Sequence, residues 1–184
     1  MAKSGSRVTP RRICLHGPES TGKSTIAPLL AARYGGVVQS EYGRDYAETR
    51  GTDFTMTDLV AIAVEHDRRT QLLLSAGADP LILDTDPLMT AVWADMLFGR
   101  RDPWFDTWDR TADLYLLFDL DLPWIEDGTR LFGTRELRRK FFDLSKAELV
   151  RRDVRWALVS GRGEGRLASA IAAIEEWQDS VSVR

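Results

Sequence analysis

The sequence predicts an α/β fold in which a mostly parallel, five-stranded sheet is covered by helices on both faces. Five short apolar runs alternate along the chain with longer segments of helical periodicity, and such alternation requires crossover connections between parallel strands. The length of 184 residues fits one domain, since domains contain about 100–200 residues. Ligands of parallel sheets bind beyond the carboxyl ends of the strands. We therefore expect the functional residues to follow the apolar runs.

Each predicted strand lies beside Gly, Pro or Asp residues, as expected of buried strands that end in turns. The strands are predicted over residues 13–15, 37–39, 81–83, 114–118 and 156–159. Pro28 in the first helix should remove one backbone hydrogen bond and bend the axis. Residues 1–10 are predicted to be a flexible tail and residues 11–184 a single domain. Apolar residues at helical spacing mark the core faces of three helices: Ile26, Leu29, Leu30 and Tyr34; Leu59, Ile62 and Ala63; and Leu167, Ile171, Ile174 and Trp177.

The composition excludes several classes of protein. With 43% hydrophobic and 29% charged residues and a formal net charge of -3, the chain is neither a disordered protein nor a globally basic nucleic-acid binder. Its apolar runs fall far short of the roughly 20 residues that span a bilayer. The basic N-terminus lacks the apolar stretch of a signal peptide, and the single cysteine, Cys14, precludes an intrachain disulfide. We expect a cytoplasmic location, with neither a membrane nor a nucleic acid as partner.

The strongest motif occupies residues 17–25, Gly-Pro-Glu-Ser-Thr-Gly-Lys-Ser-Thr, and matches the P-loop (Walker A) pattern G-x-x-x-x-G-K-[ST]. It follows the first predicted strand and opens the first predicted helix, which is the context that the motif requires. Its glycines let backbone N–H groups converge on phosphates, and the helix N-terminus adds a positive dipole. Lys23 should reach the β and γ phosphates, and the Ser24 hydroxyl should ligate Mg²⁺. We therefore predict that ATP and Mg²⁺ bind here. The predicted nucleotide-binding residues are Gly17, Glu19, Ser20, Thr21, Gly22, Lys23, Ser24 and Thr25.

Two aspartates follow the third predicted strand. Asp84 comes directly after the apolar run 81–83, which places its carboxylate at the ligand edge of the sheet. In P-loop enzymes an acid at this place organises the Mg²⁺ shell, so we predict a metal site made of Asp84 and Ser24. Asp86, directly before Pro87, has two interpretations: a helix N-cap or a contact to the substrate.

A further acid, Glu41, follows the second strand and precedes Tyr42 and Arg44. A kinase of small molecules needs a base near the attacking hydroxyl and polar groups that hold the acceptor. Glu41 suits either role, and whether Glu41 or Asp84 is the base stays open at this point. The alternative is that Glu41 is an exposed acid that caps the helix after it.

The segment after the fourth strand is strongly basic. Residues 128–140 contain four arginines and one lysine against a single acid. We predict a helical lid over about residues 127–150. Arg130 and Arg135 are candidates for contacts to the transferring phosphoryl group when such a lid closes. Ordinary ion pairs at the surface are the alternative for both arginines.

Aromatic residues also lie near the expected ligand edge. One of the four tryptophans there is a candidate to stack on a planar, cationic base, although packing in the core is the commoner role of such residues. His16 and His66 are interpreted as ordinary structural residues, because neither has a second ligand at metal-binding spacing. The four tryptophans are Trp93, Trp104, Trp108 and Trp124.

Several segments together resemble the ribosylnicotinamide kinase domain of NadR-type proteins. They are residues 17–25, 41–46 (Glu-Tyr-Gly-Arg-Asp-Tyr), 84–86 (Asp-Thr-Asp), 121–124 (Asp-Leu-Pro-Trp) and 127–130 (Asp-Gly-Thr-Arg). The resemblance implies a P-loop NTPase fold of the nucleoside-kinase type, a three-layer sandwich with a helical lid. It also implies transfer of the γ-phosphate of ATP to the 5′-hydroxyl of nicotinamide riboside, giving nicotinamide mononucleotide for NAD salvage.

The chain differs from NadR-type proteins in its domain organisation. NadR-type proteins carry a DNA-binding domain and an adenylyltransferase domain ahead of this one, whereas about ten residues precede the first strand here. We therefore expect this chain not to make NAD from the mononucleotide. A kinase for another nucleoside or small molecule, and a non-catalytic ATP-binding regulatory module, are the alternatives.

The resemblance also implies which residues act in the reaction. The implied acceptor-binding residues are Glu41, Tyr42, Arg44, Asp86, Trp93, Trp124 and Asp127, and the implied catalytic residues are Lys23, Glu41, Asp84, Arg130 and Arg135.

Overall fold

A computed structural model of the protein describes residues 9–182. Of the predicted N-terminal tail, residues 1–8 lie outside the described residues. Thr9 and Pro10 belong to the folded body rather than to a tail. The Gln178 side chain donates a hydrogen bond of 3.1 Å to the Thr9 hydroxyl, and Pro10 is buried.

Five parallel strands form one sheet, as predicted: β1 (Arg12–His16), β2 (Val37–Gln39), β3 (Leu81–Asp84), β4 (Leu114–Phe118) and β5 (Trp156–Val159). Their order across the sheet is β2-β3-β1-β4-β5, so β1 lies at the centre, between β3 and β4. In register, Leu15 of β1 pairs with Asp84 of β3 and with Leu116 of β4. The carboxyl ends of these three strands therefore surround the crevice in which ligands of such folds bind.

Helices cover both faces of the sheet, which confirms the predicted three-layer sandwich. Ile13 and Leu15 of β1 pack with residues of the first and last helices on one face. Cys14 packs on the other face with residues of the fourth and sixth helices. No helix within residues 9–182 is long and apolar enough to cross a membrane. The helices in the described part of the chain are α1 (Lys23–Tyr34), α2 (Tyr42–Arg50), α3 (Met56–Ser75), α4 (Pro87–Phe98), α5 (Pro103–Thr107), α6 (Arg135–Arg151) and α7 (Glu164–Ser182).

The first helix differs in one detail from the prediction. Ile26 and Leu30 are buried, but Leu29, which we predicted to face the core, is 45% exposed. Pro28 is exposed as well, and α1 continues through it to Tyr34. The missing N–H of Pro28 is tolerated on this side because water can satisfy the carbonyl that loses its partner.

The predicted lid, residues 127–150, contains the end of a loop and most of a helix. Residues 119–134 form a loop that contains neither helix nor strand. From Arg135 onward the chain is α6, in which Phe141 and Leu149 are 1% and 0% exposed and pack in the core. The helix α6 is thus anchored in the core, whereas the loop before it forms neither helix nor strand, and movement of residues 127–150 as a lid stays a prediction.

Candidate functional site

The loop between β1 and α1 forms a cradle, and all eight residues predicted to bind nucleotide line it. The cradle opens into a cavity of about 530 Å³, which we call the P-loop cavity. Ser20 and Gly22 have φ of 56° and 86°, so the backbone curls around this space. Gly17 has φ of 119°, and a Cβ there would lie 3.0 Å from the carbonyl oxygen of Phe118. This position therefore requires glycine.

The Lys23 side chain lies inside the cradle. It is 8% exposed, and its Nζ donates hydrogen bonds to the carbonyl oxygens of Gly17 (2.8 Å) and Pro18 (2.7 Å). Burial lowers the pKa of Lys23, while the nearby carboxylates of Asp84 and Glu41 act in the opposite direction. The ammonium group is thus held beside two acids, where P-loop proteins bind the terminal phosphates of a nucleotide.

Asp84 is buried at the end of β3. It is 4% exposed, and its Oδ1 has no hydrogen-bond partner within residues 9–182. A buried carboxylate oxygen without a donor is costly unless a cation or water satisfies it. Ser24, in the first turn of α1, lines the P-loop cavity, and Thr85, the neighbour of Asp84 in the chain, lines it as well. Because Mg²⁺ takes oxygen ligands, the carboxylate of Asp84 and the hydroxyl of Ser24 fit this ion.

Glu41 also lines the P-loop cavity. Desolvation by burial, together with repulsion from Asp84, raises the pKa of Glu41 to about 7, against the opposing effect of Lys23. A carboxylate with a pKa near 7 is well suited to accept a proton at neutral pH. Glu41 is the N-cap residue of α2, as the alternative interpretation held, but its side chain makes no capping hydrogen bond and is not exposed.

A second cavity of about 550 Å³, which we call the side cavity, adjoins the P-loop cavity. Beyond the shared wall, the side cavity is mostly apolar, with Phe54, Leu59 and Ile62 among its lining residues. The ring of Trp93 lies 6.4 Å from that of Phe54, measured between centroids. Such a cavity suits a molecule with a polar end and a flat, apolar end. The residues that line both cavities are Glu19, Glu41, Arg44, Thr85, Met89 and Trp93.

Asp86, one of the predicted substrate contacts, is the N-cap of α4. Its carboxylate accepts hydrogen bonds from the Leu88 N–H (3.0 Å) and from the Tyr115 hydroxyl (2.5 Å). Burial raises its pKa to about 6, although the bond from Tyr115 opposes this change. Asp86 therefore forms the helix cap, the first of its two interpretations, and it lines neither cavity; the substrate contact stays a prediction.

Tyr42 and Trp124 also line neither cavity. The guanidinium carbon of Arg69 lies over the ring of Tyr42, 4.3 Å from the ring centroid. Trp124 packs against Gly133, where a Cβ would lie 2.9 Å from the indole Nε1. Both rings are therefore held by local packing, and of the four tryptophans considered only Trp93 lines the cavities.

The loop 119–134 lies against the P-loop. The Ser20 hydroxyl donates a hydrogen bond to the Ile125 carbonyl and accepts one from the Ile125 N–H, both of 3.2 Å. The Glu19 carboxylate accepts a bond of 3.2 Å from the Leu131 N–H. Three hydrogen bonds thus connect the loop to the cradle at two places.

Only one of the two predicted lid arginines reaches the P-loop cavity. Arg130 lines it, and its Nε lies 3.2 Å from Oδ2 of Asp127, which also forms an ion pair of 2.8 Å with Arg44. Although desolvation opposes them, the hydrogen bonds from Arg44 and Thr129 lower the pKa of Asp127 to about 2. Arg135 is exposed and lines a separate basic cavity with other arginines of α6, so its predicted contact is not formed here.

Sequence reasoning missed several residues of the side cavity. His66, interpreted as an ordinary residue, lines the cavity and accepts a hydrogen bond from the Tyr42 N–H. Thr85, with φ of 73°, lies between Asp84 and Asp86, which were both candidate site residues. Its place between them could have indicated that it belongs to the site. Nothing in the sequence places residue 66 of α3 beside residue 41. The other lining residues missed include Phe54, Met89, Thr90 and Thr129.

The parallel sheet, the P-loop after its central strand and the two joined cavities define a class: this is a P-loop nucleotide-binding protein with a nucleoside-kinase-like fold. Comparison with known families is more specific. Residues 12–166 match the AAA domain family, and the chain belongs to it.

Two curated relatives are similar over much of the chain. The trifunctional NAD biosynthesis/regulator protein NadR of Salmonella typhimurium is 26% identical over 173 residues, which is 90% of this chain and 42% of that protein. The NadR protein of Escherichia coli is 29% identical over 140 residues, which is 73% of this chain and 34% of that protein. The chain thus spans less than half the length of these relatives.

Solved structures share the fold. A NadR protein in complex with NR has a TM-score of 0.73 at 22% identity, covering 94% of this chain and 53% of that one. A NadR protein with NAD and AMP-PNP has a TM-score of 0.74 at 21% identity, covering 93% and 50%. Thymidylate kinase from Ehrlichia chaffeensis has a TM-score of 0.65 at 14% identity, covering 90% and 97%.

Proposed function

We propose that the protein is an ATP-dependent kinase that phosphorylates the 5′-hydroxyl of nicotinamide riboside, giving nicotinamide mononucleotide for NAD salvage. One observation carries the proposal: the P-loop cavity and the side cavity share a wall that contains Glu41. A phosphate donor in the first cavity and a hydroxyl acceptor in the second would meet at this carboxylate. The likeness to NadR proteins, one of them solved with NR, supports the choice of acceptor.

The donor side uses the parts of a P-loop. The cradle and the N-terminus of α1 would bind the phosphates of ATP, and Lys23 would stabilise charge on the γ-phosphate during transfer. Ser24 and Asp84 would hold Mg²⁺, which would offset the negative charge of the phosphates. A similar structure with AMP-PNP bound supports ATP as the donor.

The acceptor side is the side cavity. Glu41 would accept the proton of the 5′-hydroxyl, which leaves Asp84 to the metal. Arg44 would contact the ribose, and Trp93 would lie against the cationic pyridinium ring. Asp127 lines neither cavity and would act by holding Arg44 through their ion pair. Asp86, Tyr42 and Trp124 have no part in this proposal, because Asp86 caps α4, Tyr42 packs against Arg69 and Trp124 packs against Gly133.

The lid in this proposal is the loop 119–134, within a single kinase domain over residues 11–184. Arg130 would meet the transferring phosphoryl group, and closure would exclude water from it. Arg135 could reach the site only if the first turn of α6 moved as well. The partner is then a small molecule rather than a nucleic acid, and the use of ATP by a chain with one free cysteine favours the cytoplasm.

A steady-state assay of ADP release tests the function. The chain is offered ATP, Mg²⁺ and one acceptor at a time: nicotinamide riboside, purine nucleosides, pyrimidine nucleosides or none. We expect release that depends on nicotinamide riboside and a product heavier by one phosphate, with Lys23→Ala inactive. Preference for a purine or pyrimidine nucleoside would reject the acceptor but keep the kinase. Tight ATP binding with slow, acceptor-independent hydrolysis would reject the kinase in favour of a regulatory module.

A further inference from the structure

Helix α2 begins directly after Glu41, yet the Glu41 side chain makes no capping hydrogen bond to that helix. The first turn of a helix has backbone N–H groups without intrahelical partners, and the N-cap side chain commonly accepts a bond from one of them. The Glu41 carboxylate instead lines both cavities. Another group must therefore satisfy the start of α2.

His66 is that group. Its Nε2 accepts a hydrogen bond of 3.1 Å from the N–H of Tyr42, the first residue of α2. The side chain is 1% exposed, and burial lowers its pKa to about 4, so the ring is neutral at pH 7 and Nε2 keeps its lone pair. The cap of α2 thus comes from a residue of α3 that lies 24 positions after Tyr42 in the chain.

His66 also contacts the chain on the other side of Glu41. The side-chain nitrogen of Gln39, the last residue of β2, donates a hydrogen bond of 3.0 Å to the His66 carbonyl oxygen. The Thr70 hydroxyl, also on α3, donates a hydrogen bond of 3.0 Å to the side-chain oxygen of Gln39. The segment 39–42 is therefore attached to α3 both before and after Glu41.

We propose that His66 is a positioning residue for Glu41. Because His66 holds the N–H directly after Glu41 and Gln39 is bonded to α3 just before it, the backbone on both sides of Glu41 is fixed and its carboxylate faces the two cavities. A Cβ on Gly43 would lie 3.7 Å from Glu41 Oε1, so the carboxylate is already close to the first turn of α2. Without the histidine, a small movement would let Glu41 cap its own helix and leave the acceptor. The inference rests on the proposed function, in which Glu41 is the base.

Two variants of His66 separate the cap from the bulk of the ring. His66→Leu removes the acceptor atom but stays large and apolar, whereas His66→Gln retains an oxygen that can accept from Tyr42. We expect His66→Leu to lower kcat by about 10- to 100-fold, as displacement of a reacting group does, with both KM values nearly unchanged. His66→Gln should recover most of this loss. A raised acceptor KM at unchanged kcat would make His66 a direct binding residue and would overturn the proposal.

The same substitution in a Glu41→Gln background shows whether His66 acts through Glu41. If it does, His66→Leu causes no further loss of kcat there, since residues that act as a unit are not additive. Losses that multiply in the double variant would contradict the proposal. Should His66→Leu not fold, His66→Asn replaces it, because that side chain is polar but too short to reach Tyr42.

A crystal structure of His66→Leu tests the cap without any activity. We expect the Glu41 carboxylate to accept a hydrogen bond from the N–H of Gly43 or Arg44, whereas an unmoved carboxylate would refute the inference. A wild-type chain that releases no ADP with any acceptor would refute the proposed function instead. The two failures are therefore distinguishable.

Discussion

Arg44, which lines both cavities, forms an ion pair with Asp127 from a distant part of the chain, with 2.8 Å between Nη1 and Oδ2. Arg44 belongs to α2, and Asp127 belongs to the loop 119–134 that follows β4. The pair therefore holds the proposed lid against the acceptor side of the site, while Ser20 and Glu19 hold it against the P-loop.

We expect Asp127→Asn to loosen this loop with little effect on global stability. The two side chains are 37% and 26% exposed, and exposed pairs contribute about 0.2–1 kcal/mol. Amide exchange over residues 121–134 should accordingly rise by up to about fivefold, measured by mass spectrometry. Arg33→Gln, which removes an exposed pair with Glu175 on the far side of α1, is the matched control. Unchanged exchange in Asp127→Asn would show that the pair does not restrain the loop.

Lys23→Ala should leave the chain folded and lower kcat by about 100- to 1000-fold, the loss typical of one preorganised charge donor. The lysine is bonded only to the carbonyl oxygens of Gly17 and Pro18, which its removal exposes to water in the cavity. Steady-state kinetics measure the loss, and circular dichroism checks the fold. Activity within a few-fold of wild type would exclude a phosphate-binding role for Lys23.

Glu41→Gln and Asp84→Asn should affect different properties of the reaction. Since the pKa of Glu41 is raised to about 7, its basic form is lost as the pH falls, and the wild-type rate should decline below pH 7. Glu41→Gln should lower the rate by about 10²- to 10⁴-fold and abolish this limb of the pH profile. Asp84→Asn should keep the limb but move it to lower pH, because the repulsion that helps to raise the pKa of Glu41 is lost. It should also raise the Mg²⁺ concentration for half-maximal rate by at least about 10-fold. The reverse assignment of effects would make Asp84 the base.

The parts that the sequence predicts correctly are those that depend on neighbours in the chain. Each strand is a short apolar run with turn residues at its ends, and the P-loop is one continuous motif. Both can therefore be predicted from residues that are neighbours in the sequence. The side cavity depends on how α2, α3 and α4 pack together, which no local pattern encodes. For this reason His66 was missed. For Asp86 and Trp124 the sequence left two roles open, because the local motifs around them fit a capping or packed residue as well as a ligand contact.

Trp93 and Trp124 offer a direct comparison of the predicted and observed acceptor sites. Trp93 lines both cavities, with its ring 5.0 Å from that of Phe132, whereas Trp124 lines neither. We expect Trp93→Leu to raise the acceptor KM about 5- to 30-fold, consistent with loss of a cation–π contact of about 1–2 kcal/mol. ATP affinity, measured by calorimetry, should stay the same. Trp124→Leu should change the acceptor KM by less, and a larger effect there would restore the prediction from sequence.

The two histidines of the chain, His16 and His66, should make the folded protein less stable in mild acid. Desolvation, aided by Lys23 for His16, lowers the pKa of His16 to about 3, and desolvation lowers that of His66 to about 4. Below pH 6.5 the unfolded chain therefore binds protons that the folded chain does not, and the free energy of unfolding falls as the pH falls. Glu41 and Asp86, whose pKa values are raised, act in the opposite direction, so the histidine effect must be isolated by difference. Between pH 7 and pH 5, His66→Gln should lose about 2 kcal/mol less stability than wild type, measured by urea unfolding.

Proton NMR of the protein gives an independent check of the two histidine pKa values. Neither imidazole resonance should titrate above pH 5, and a histidine that titrates near pH 6.5 would mean that its ring is not buried in solution.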